Sequence, residues 1–213
     1  MQRANARKRR SRTSRRHAEI LEAALACFTE LGFAATTMAD VCQRSRASVG
    51  SVYHHFKSKE QLAGALFLEG LRDYQQGLLD ELGRVDTGRP GSGRRLIRTM
   101  VDHYLRWVEA HRVWARYLIE FGGGPFVAAF DDQLESLNRE FLSRVEQAVL
   151  PAVKRGELRR LPRVVSLALV FGPVREFVRR WLWNPSEASL AAARRFLPDA
   201  AWRSMLCPKE NED

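Results

Sequence analysis

The stretch from Ser48 to His54 combines side chains that suit contact with nucleic acid. Ser48 and Ser51 are short hydrogen-bond donors that fit against base edges, and Val49 can touch a thymine methyl group. Tyr53 and His54 are long enough to reach phosphate oxygens. This combination indicates recognition of double-stranded DNA, in which some side chains read bases and others hold the backbone.

Residues for other kinds of chemistry do not occur at useful spacing. Cys27, Cys42 and Cys207 include no CxxC pair, and no histidine lies at a metal-ligand spacing from them. His54 and His55 are adjacent, and neighbouring residues on a helix point about 100° apart, which does not suit a shared metal ion. We also find no paired carboxylates and no nucleophile beside a base, which an enzyme would need. We therefore expect a protein that is not an enzyme, with no metal site and no cofactor.

Two short helices joined by a tight turn must position the residues from Ser48 onward. Thr37 can cap the first helix while Asp40 reaches back to it, and Ser48 can cap the second. Glycine inside a helix costs about 1 kcal/mol relative to alanine, so Gly50 indicates a close approach by the first helix or by DNA. The pattern predicts a helix-turn-helix, whose first helix braces against the DNA backbone while the second reads base edges. Ordinary helical packing would leave the same pattern and remains an alternative.

The positive charge of the protein is concentrated at its N-terminus. The chain has 213 residues and a net charge of +10. Eight of its Lys and Arg residues lie within residues 1–16, before the first acidic residue, Glu19, so the remainder is nearly neutral. A flexible basic arm over 1–16 would attract phosphate whatever the sequence beneath it. A solubility tail is one alternative, and an arm that acts alone on RNA or on a membrane surface is another.

The rest of the chain is a series of predicted helices. No stretch alternates apolar and polar residues long enough for a sheet, so we predict an all-α fold. Residues 17–62 form the helix-turn-helix domain, with the fourth helix continuing to about residue 82. The Gly- and Pro-rich segment 83–93 is the predicted linker, and residues 94–213 form a larger helical domain. We find neither a membrane span nor a signal peptide, so we expect a cytoplasmic, nucleoid-associated protein.

Two helices of the larger domain are predicted to pair with those of a second subunit. The helix at about 163–183 is apolar almost all round in its first half, and a chain of this size has little of its own surface to cover it. The helix at 185–203 is expected to join it. A twofold dimer would place two recognition helices about 34 Å apart, which is one turn of DNA and predicts a palindromic operator. Burial within one subunit is the alternative.

Aromatic residues of the larger domain suggest a ligand pocket. All five tryptophans of the chain lie there, and several aromatic residues flank His111. They provide enough aromatic surface to line a cavity, and a solid core would use the same residues. The predicted pocket, with the polar residues that would orient a ligand, consists of His103, Tyr104, Trp107, Trp114, Tyr117, Glu120, Phe121 and Arg175.

The stretch from Thr36 to Leu62, TTMADVCQRSRASVGSVYHHFKSKEQL, resembles the DNA-binding domain of the TetR (tetracycline repressor) family of bacterial transcriptional regulators. The preceding segment Ile20–Ala24, with Phe28 and Leu31–Phe33, is similar to the family's first helix. The resemblance covers about residues 16–62 and depends on S-x-G-x-x-Y-x-H-F followed by K-x-K. The larger domain resembles the family's ligand-binding and dimerisation domain in the number of its helices alone.

The resemblance implies roles for individual residues. Thr37 matches a residue that bonds to phosphate at a helix N-terminus. Tyr53 matches a tyrosine that contacts phosphate, and Lys59 matches a lysine that grips the DNA backbone. Phe56 matches a core residue.

The chain departs from the family pattern in two places. The turn usually reads Ala-Gly-Val where this chain has Ser45, Arg46 and Ala47, and alanine is usual in place of Cys42. Glycine tolerates a positive φ and arginine does so poorly, so Arg46 either alters the turn or adds a phosphate contact. The candidate DNA-contacting residues are Thr37, Arg46, Ser48, Val49, Ser51, Tyr53, His54 and Lys59.

The resemblance also implies a function for the whole chain. It implies a homodimeric transcriptional repressor that binds a palindromic operator in double-stranded DNA. A small apolar or aromatic effector in the larger domain would move the fourth helix and release the DNA, which is a two-state coupling between sites. The residues identify neither the effector nor the operator, and DNA binding promoted by the effector remains an alternative to release.

Overall fold

The computed structural model describes residues 2–122, 130–185 and 189–207, with side chains from Arg15 onward. Within these ranges the backbone is helical apart from short connections and one bridge between Leu158 and Leu206, which confirms the all-α prediction. No helix in the same ranges is long and apolar enough to cross a lipid bilayer. The helices are α1 (Gln2–Leu31), α2 (Met38–Ser45), α3 (Val49–His55), α4 (Lys59–Leu82), α5 (Ser92–Ala110), α6 (Arg112–Phe121), α7 (Asp131–Lys154), α8 (Arg163–Trp183) and α9 (Leu190–Met205).

The helices form two compact units. The first unit consists of residues 1–71 and 113–134, and the second of residues 72–112 and 135–213. This division differs from the predicted boundary. The predicted linker at 83–93 lies inside the second unit, where it joins α4 to α5, and α4 itself contributes to both units.

α6 belongs to the first unit because its aromatic face is buried there. Tyr117 is fully buried, and its hydroxyl donates a hydrogen bond to the backbone carbonyl of Ala63 in α4 at 2.9 Å. The Tyr117 ring centroid lies 4.7 Å from that of Phe121 and 6.2 Å from that of Phe28 in α1. The contacts of Tyr117 with Ala63 and Phe28 join residues far apart in the sequence, so no local composition signal reveals them.

The core of the first unit includes the apolar stripe that the sequence places on α1. Ile20, Ala24, Phe28 and Leu31 recur at helical spacing. The first three are buried, whereas Leu31, at the end of the helix, is exposed. Gly32 ends this helix with a positive φ of 84°, a conformation that glycine adopts without steric cost. α1 begins at Gln2, so residues 2–16 belong to this helix, whereas the composition of the N-terminal segment predicts a flexible arm.

The second unit has its own core, formed where α5, α8 and α9 pack together. α8 buries Val174, Val178 and Trp181 on this side, and the guanidinium of Arg112 lies 4.5 Å from the centroid of the Trp181 ring. α7 is different, because Ala152 is its one fully buried residue in the part of the chain that the structure describes. Much of its surface is therefore left without close packing.

The last helix begins later than the sequence predicts. The side chain of Ser189 accepts a hydrogen bond from the backbone N–H of Ala192 at 3.2 Å and so caps α9 at Leu190. The prediction placed the start of this helix at residue 185, with Asn184 as the cap. Serine at the N-cap satisfies a backbone donor that is otherwise unpaired, which explains the later start.

A polar network joins α4 to α5 within the second unit. The Nδ1 atom of His103 lies 2.9 Å from the Glu81 carboxylate, and its Nε2 lies 3.1 Å from the backbone carbonyl oxygen of Tyr74. Arg106 donates to the other carboxylate oxygen of Glu81. Although desolvation acts to raise the pKa of Glu81, the hydrogen bonds from His103 and Arg106 hold that pKa below its usual range. Glu81 is therefore an ionised anchor between the two helices.

Replacing Tyr117 with phenylalanine tests the bond between α6 and α4. The variant loses the buried hydroxyl and keeps the ring, so the free energy of unfolding should fall by about 1 kcal/mol. Urea unfolding followed by circular dichroism measures the change. Tyr53→Phe is the matched control, because the Tyr53 side chain is 42% exposed, and it should leave the unfolding free energy unchanged. Equal losses in the two variants would contradict a specific role for the Tyr117 hydroxyl.

Candidate nucleic-acid interface

α2 begins with the reciprocal cap that the sequence predicts. The backbone N–H of Asp40 donates to the Thr37 hydroxyl at 3.2 Å. The hydroxyl and the backbone N–H of Thr37 each donate to the Asp40 carboxylate at 2.7 Å, and both bonds hold the pKa of Asp40 below its usual range. Thr37 is exposed at the start of the helix, where free backbone N–H groups and the helix dipole favour a phosphate.

α2 is held on α1 by apolar burial and by a two-armed ion pair. Val41 and Cys42 are buried in the core of the first unit. The two terminal nitrogens of Arg44 lie 2.5 and 2.6 Å from the two carboxylate oxygens of Glu30 in α1, and this hydrogen bonding lowers the pKa of Glu30. A bidentate pair fixes the relative orientation of its partners. α2 is thus a braced support for the helix that follows.

The turn between α2 and α3 contains a left-handed residue, although that residue is arginine. Arg46 has φ 51° and ψ 30°, a conformation that residues other than glycine adopt rarely. Its backbone N–H donates to the Gln43 carbonyl at 3.3 Å, and that of Ala47 donates to the Cys42 carbonyl at 3.2 Å. These bonds close the turn and leave the Arg46 side chain exposed.

α3 buries one face and exposes the face predicted to read DNA. Val52 and Phe56 are buried in the core of the first unit. On the opposite face, Val49 is 60% exposed and Tyr53 is 42% exposed. His54 is exposed as well. The helix therefore presents an apolar side chain, a phenol and an imidazole to solvent together.

The two serines of this segment have different positions. Ser48 is the N-cap of α3, and its hydroxyl accepts a hydrogen bond from the backbone N–H of Ser51 at 3.2 Å. The Ser48 side chain is exposed and the Ser51 side chain is half-buried. Ser48 therefore fixes the start of the recognition helix and remains accessible for a contact with DNA.

Gly50 lies on the open side of α3. A Cβ atom placed on this residue meets no atom within 4 Å in the described part of the chain, apart from its immediate neighbours. The sequence left two explanations for this glycine, a close approach by the first helix of the pair or by DNA. The open space around Gly50 removes the first explanation and retains the second.

Lys59 has a structural partner in the connection between α1 and α2. Its ammonium group donates to the carbonyls of Phe33 at 2.8 Å and Ala34 at 3.3 Å, and it lies 4.5 Å from the centroid of the Phe33 ring. These contacts tie the start of α4 to the end of α1. Because the partners are neutral, Lys59 still adds positive charge to this surface, and its contact with DNA stays a prediction.

Lys57 is a candidate contact that the sequence prediction omits. It is exposed directly after Phe56, and its backbone N–H donates to the side chain of Gln61 at 2.6 Å. That bond fixes the chain between α3 and α4. The K-x-K spacing of Lys57 and Lys59 was the sequence signal for it.

Three histidine rings gather near the end of α3. The ring centroids of His54 and His55 are 5.4 Å apart, and those of His17 and His55 are 5.8 Å apart. Burial lowers the pKa of His55, and the positive charges of His17, His54 and Arg16 lower it further. Within the described residues, no group of three or more His, Cys, Asp or Glu side chains is placed to hold a metal ion.

The eight residues of the predicted ligand pocket are divided between the two units. The first unit contains Trp114, Tyr117, Glu120 and Phe121, and the second contains His103, Tyr104, Trp107 and Arg175. In the second unit the ring of Tyr74 packs against those of Tyr104 and Trp107, with centroids 5.7 and 5.5 Å apart, and the Trp107 indole donates to Asp73 at 2.7 Å. Such contacts are typical of a packed core.

A cavity of about 560 Å³ lies elsewhere in the second unit. It is bounded by α5, α7, the segment after α7, α8 and the end of α9, and none of the eight predicted residues lines it. Sequence reasoning missed this cavity because most of its walls are aliphatic residues, which have no distinctive spacing. The predicted pocket and the observed cavity therefore have no residue in common.

Comparisons with known proteins agree with the geometry of the first unit. Residues 20–66 match the family model described as bacterial regulatory proteins, tetR family. The chain is 27% identical over 177 residues to the transcriptional regulator TtgR of Pseudomonas putida, which covers 81% of this chain and 83% of TtgR. It is 44% identical over 59 residues to the transcriptional repressor KstR2 of Mycobacterium tuberculosis, which covers 28% of this chain and 29% of KstR2.

Solved structures of regulators share the fold. A TetR family transcription regulator from Marinobacter aquaeolei VT8 has a TM-score of 0.75 at 20% identity, covering 93% of this chain and all of that one. FadR from Bacillus subtilis, solved in complex with stearoyl-CoA, has a TM-score of 0.69 at 14% identity, covering 88% of this chain and 98% of that one. The family model, the regulators similar in sequence and the shared fold all point to the TetR family of bacterial transcriptional regulators. They agree with the capped helix-turn-helix, whose second helix faces solvent.

Proposed function

We propose that the protein is a homodimeric repressor that binds a palindromic operator and leaves it when a small molecule binds the second unit. The observation that carries this proposal is the exposed face of α3. Val49, Tyr53 and His54 are accessible there, while Val52 and Phe56 hold the helix in the core. A short helix presented in this way fits the major groove of B-DNA.

The candidate residues divide into two kinds of contact with DNA. Val49 and Ser51 are placed on α3 to touch base edges, and they determine which sequence is bound. Thr37, Tyr53 and the exposed guanidinium of Arg46 contact phosphates and determine register and affinity. The phosphate contacts release counterions, so operator affinity falls as the salt concentration rises.

The exposed surface of α8 supports a twofold dimer. Val164 is 77% exposed and Val165 is 43% exposed, and on α9 the Phe196 side chain is 60% exposed. Apolar surface of this kind is stabilised by about 25 cal/mol for each Å² removed from water, and a second copy of the chain can cover it symmetrically. The neighbouring exposed residues of α8 are small or lack polar side-chain atoms, which allows close approach of a second helix: Ala168, Gly172 and Pro173.

The release step depends on α4. This helix begins in the first unit at Lys59, beside the helix-turn-helix, and ends in the second unit at Leu82. A ligand that stabilises one position of its second half can therefore bias the position of its first half, provided that it binds the DNA-free state more tightly. FadR of Bacillus subtilis, with the same fold, was solved with stearoyl-CoA, which supports a ligand role for this architecture.

Gly50→Ala tests whether Gly50 serves the packing of the protein or the contact of α3 with DNA. The added methyl group meets open space, so the free energy of unfolding should stay the same or rise by up to about 1 kcal/mol. Affinity for a DNA fragment selected by the unaltered protein should fall by roughly tenfold, as expected when a good base contact worth about 1–3 kcal/mol is displaced. Urea unfolding and fluorescence anisotropy measure the two quantities.

The stability measurement is the internal control for Gly50→Ala. A variant that is as stable as the original protein and binds DNA less well has lost a contact with DNA and not its fold. Unchanged affinity would mean that DNA does not approach the backbone of α3 at this position.

Gly172→Leu tests the proposed dimer surface. A Cβ atom on Gly172 meets no atom within 4 Å in the described chain, so the variant should fold as a single subunit. Across a twofold axis the leucine would overpack the contact at a cost of about 1–3 kcal/mol, which raises the dimer dissociation constant roughly tenfold or more. Sedimentation equilibrium measures that constant. Gln76→Leu, at an exposed position of α4, is the control, and equal constants for the two variants would exclude this part of α8 from the interface.

A further inference from the structure

We propose that the cavity between α7 and α8 binds an elongated apolar molecule with an anionic head group. This inference rests on the proposed function, because it assigns a site and a chemical class to the effector. It differs from the sequence prediction of an aromatic pocket, since neither the position nor the lining agrees with that prediction.

The walls of the cavity are apolar and leave space for a hydrocarbon chain. The volume of about 560 Å³ lies within the range of about 300–1,000 Å³ that is usual for small-molecule sites. Ala152 is the one fully buried residue of α7 in the described chain, and the cavity lies between α7 and its neighbours in the second unit. Six residues from three helices show the character of the lining: Ile97, Met100, Leu142, Val149, Leu167 and Phe171.

The charged lining residues give the cavity a positively charged edge. Arg159, Arg160 and Arg163 line it, together with one carboxylate, that of Glu146. The Glu146 carboxylate is occupied by Arg163, whose Nε lies 2.5 Å away. Arg159 donates to the Ser204 carbonyl at 3.5 Å, a long contact with a neutral group. Arg160 has no hydrogen bond or ion pair with the part of the chain that the structure describes.

Two guanidinium groups therefore have no carboxylate partner at the edge of an apolar space. Arg159 and Arg160 are both exposed, and guanidinium binds carboxylate and phosphate groups through paired hydrogen bonds. A ligand with an anionic end and an apolar body would satisfy both parts of the site. A neutral ligand would satisfy the apolar part alone, and a cationic one would be repelled.

The segment that carries the two arginines is fixed by backbone hydrogen bonds. The N–H of Arg159 donates to the Met205 carbonyl at 2.9 Å, and the N–H of Cys207 donates to the Glu157 carbonyl at 3.4 Å. The Glu157 carboxylate accepts from the backbone N–H groups of Gly91 and Gly93 at the start of α5, at 3.1 and 2.8 Å. The positive edge is thus held at one end of the cavity before any ligand binds, which lowers the cost of ordering it.

Isothermal titration calorimetry of the full-length protein without DNA tests the site with matched probes. Dodecanoate, dodecanol and dodecylamine share one chain and differ in the charge of the head group, and they are titrated below the concentrations at which they form micelles. We expect dodecanoate to bind at least about tenfold more tightly than dodecanol and dodecylamine to bind most weakly, as two charge-assisted hydrogen bonds would give. Dodecyl phosphate, as a fourth probe, shows whether the preferred head is a carboxylate or a phosphate.

Two variants locate the head and the chain of the ligand. The double variant Arg159→Gln, Arg160→Gln should remove the preference for dodecanoate and leave dodecanol binding unchanged. Arg144→Gln removes the same charge from an exposed position of α7 that does not line the cavity, and it should bind both probes like the original protein. Leu167→Trp narrows the cavity and should weaken both probes.

Three results would overturn the proposal. The first is equal affinity for dodecanoate and dodecanol, and the second is no binding of either. The third is that the double variant has a changed dimer dissociation constant but binds the probes as the original protein does. That result would identify the cavity as a contact between copies of the chain. If dodecanoate binds as expected and DNA bound to the protein is not released, the site stands and the proposed release fails. If other compounds release the DNA and dodecanoate does not bind, the release stands and this site is wrong.

Discussion

The burial of Val52 and Phe56 determines how the recognition helix faces its surroundings. Val52 lies within α3 and Phe56 is its C-cap, and both are enclosed in the core with the stripe of α1. Any rotation of α3 about its axis would bring one of them into water at a cost of about 1.5–3 kcal/mol. Val49, Gly50 and Tyr53 must consequently face away from the core. The surface proposed to read DNA is therefore a consequence of core packing in the first unit.

The turn that precedes α3 is strained at Arg46, which has a left-handed backbone conformation. A left-handed conformation costs about 1–2 kcal/mol for a residue with a Cβ atom, and Arg46 adopts it where glycine is usual in the family. Three features restrict the turn to this conformation. They are the backbone hydrogen bonds that close it, the ion pair between Arg44 and Glu30, and the cap at Ser48. Strained residues persist where the surrounding structure determines them, and they concentrate at functional sites. The exposed guanidinium of Arg46 is consistent with a phosphate contact.

Features that depend on neighbouring residues could be predicted from the sequence. The all-α class, the cap formed by Thr37 and Asp40 and the buried stripe that includes Phe28 each follow from local spacing, and the structure confirms them. The resemblance to the TetR family implied that Phe56 is a core residue, whereas the burial of Val52 and the exposed side of α3 are findings of the structure.

Features that depend on contacts between distant residues could not be predicted. Composition favoured a boundary at 83–93, whereas the bond between Tyr117 and Ala63 places α6 with the first unit. Aromatic residues suggested a pocket, yet Trp107 has core partners and the cavity is lined by aliphatic residues of α7 and α8. Nor does any sequence pattern reveal that the ammonium group of Lys59 would bind backbone carbonyls. Each of these depends on how helices pack, and hydrophobic periodicity does not specify that packing.

Selection of genomic DNA fragments by the purified, full-length protein at physiological salt distinguishes sequence-specific binding from general attraction to DNA. If α3 reads base edges on a twofold dimer, the bound fragments will share a palindrome whose half-sites are about one helical turn, roughly 34–36 Å, apart. Salt-sensitive binding to fragments with no shared sequence would contradict that prediction. In that case the basic N-terminal segment would be the binding element, and the exposed face of α3 would not read DNA.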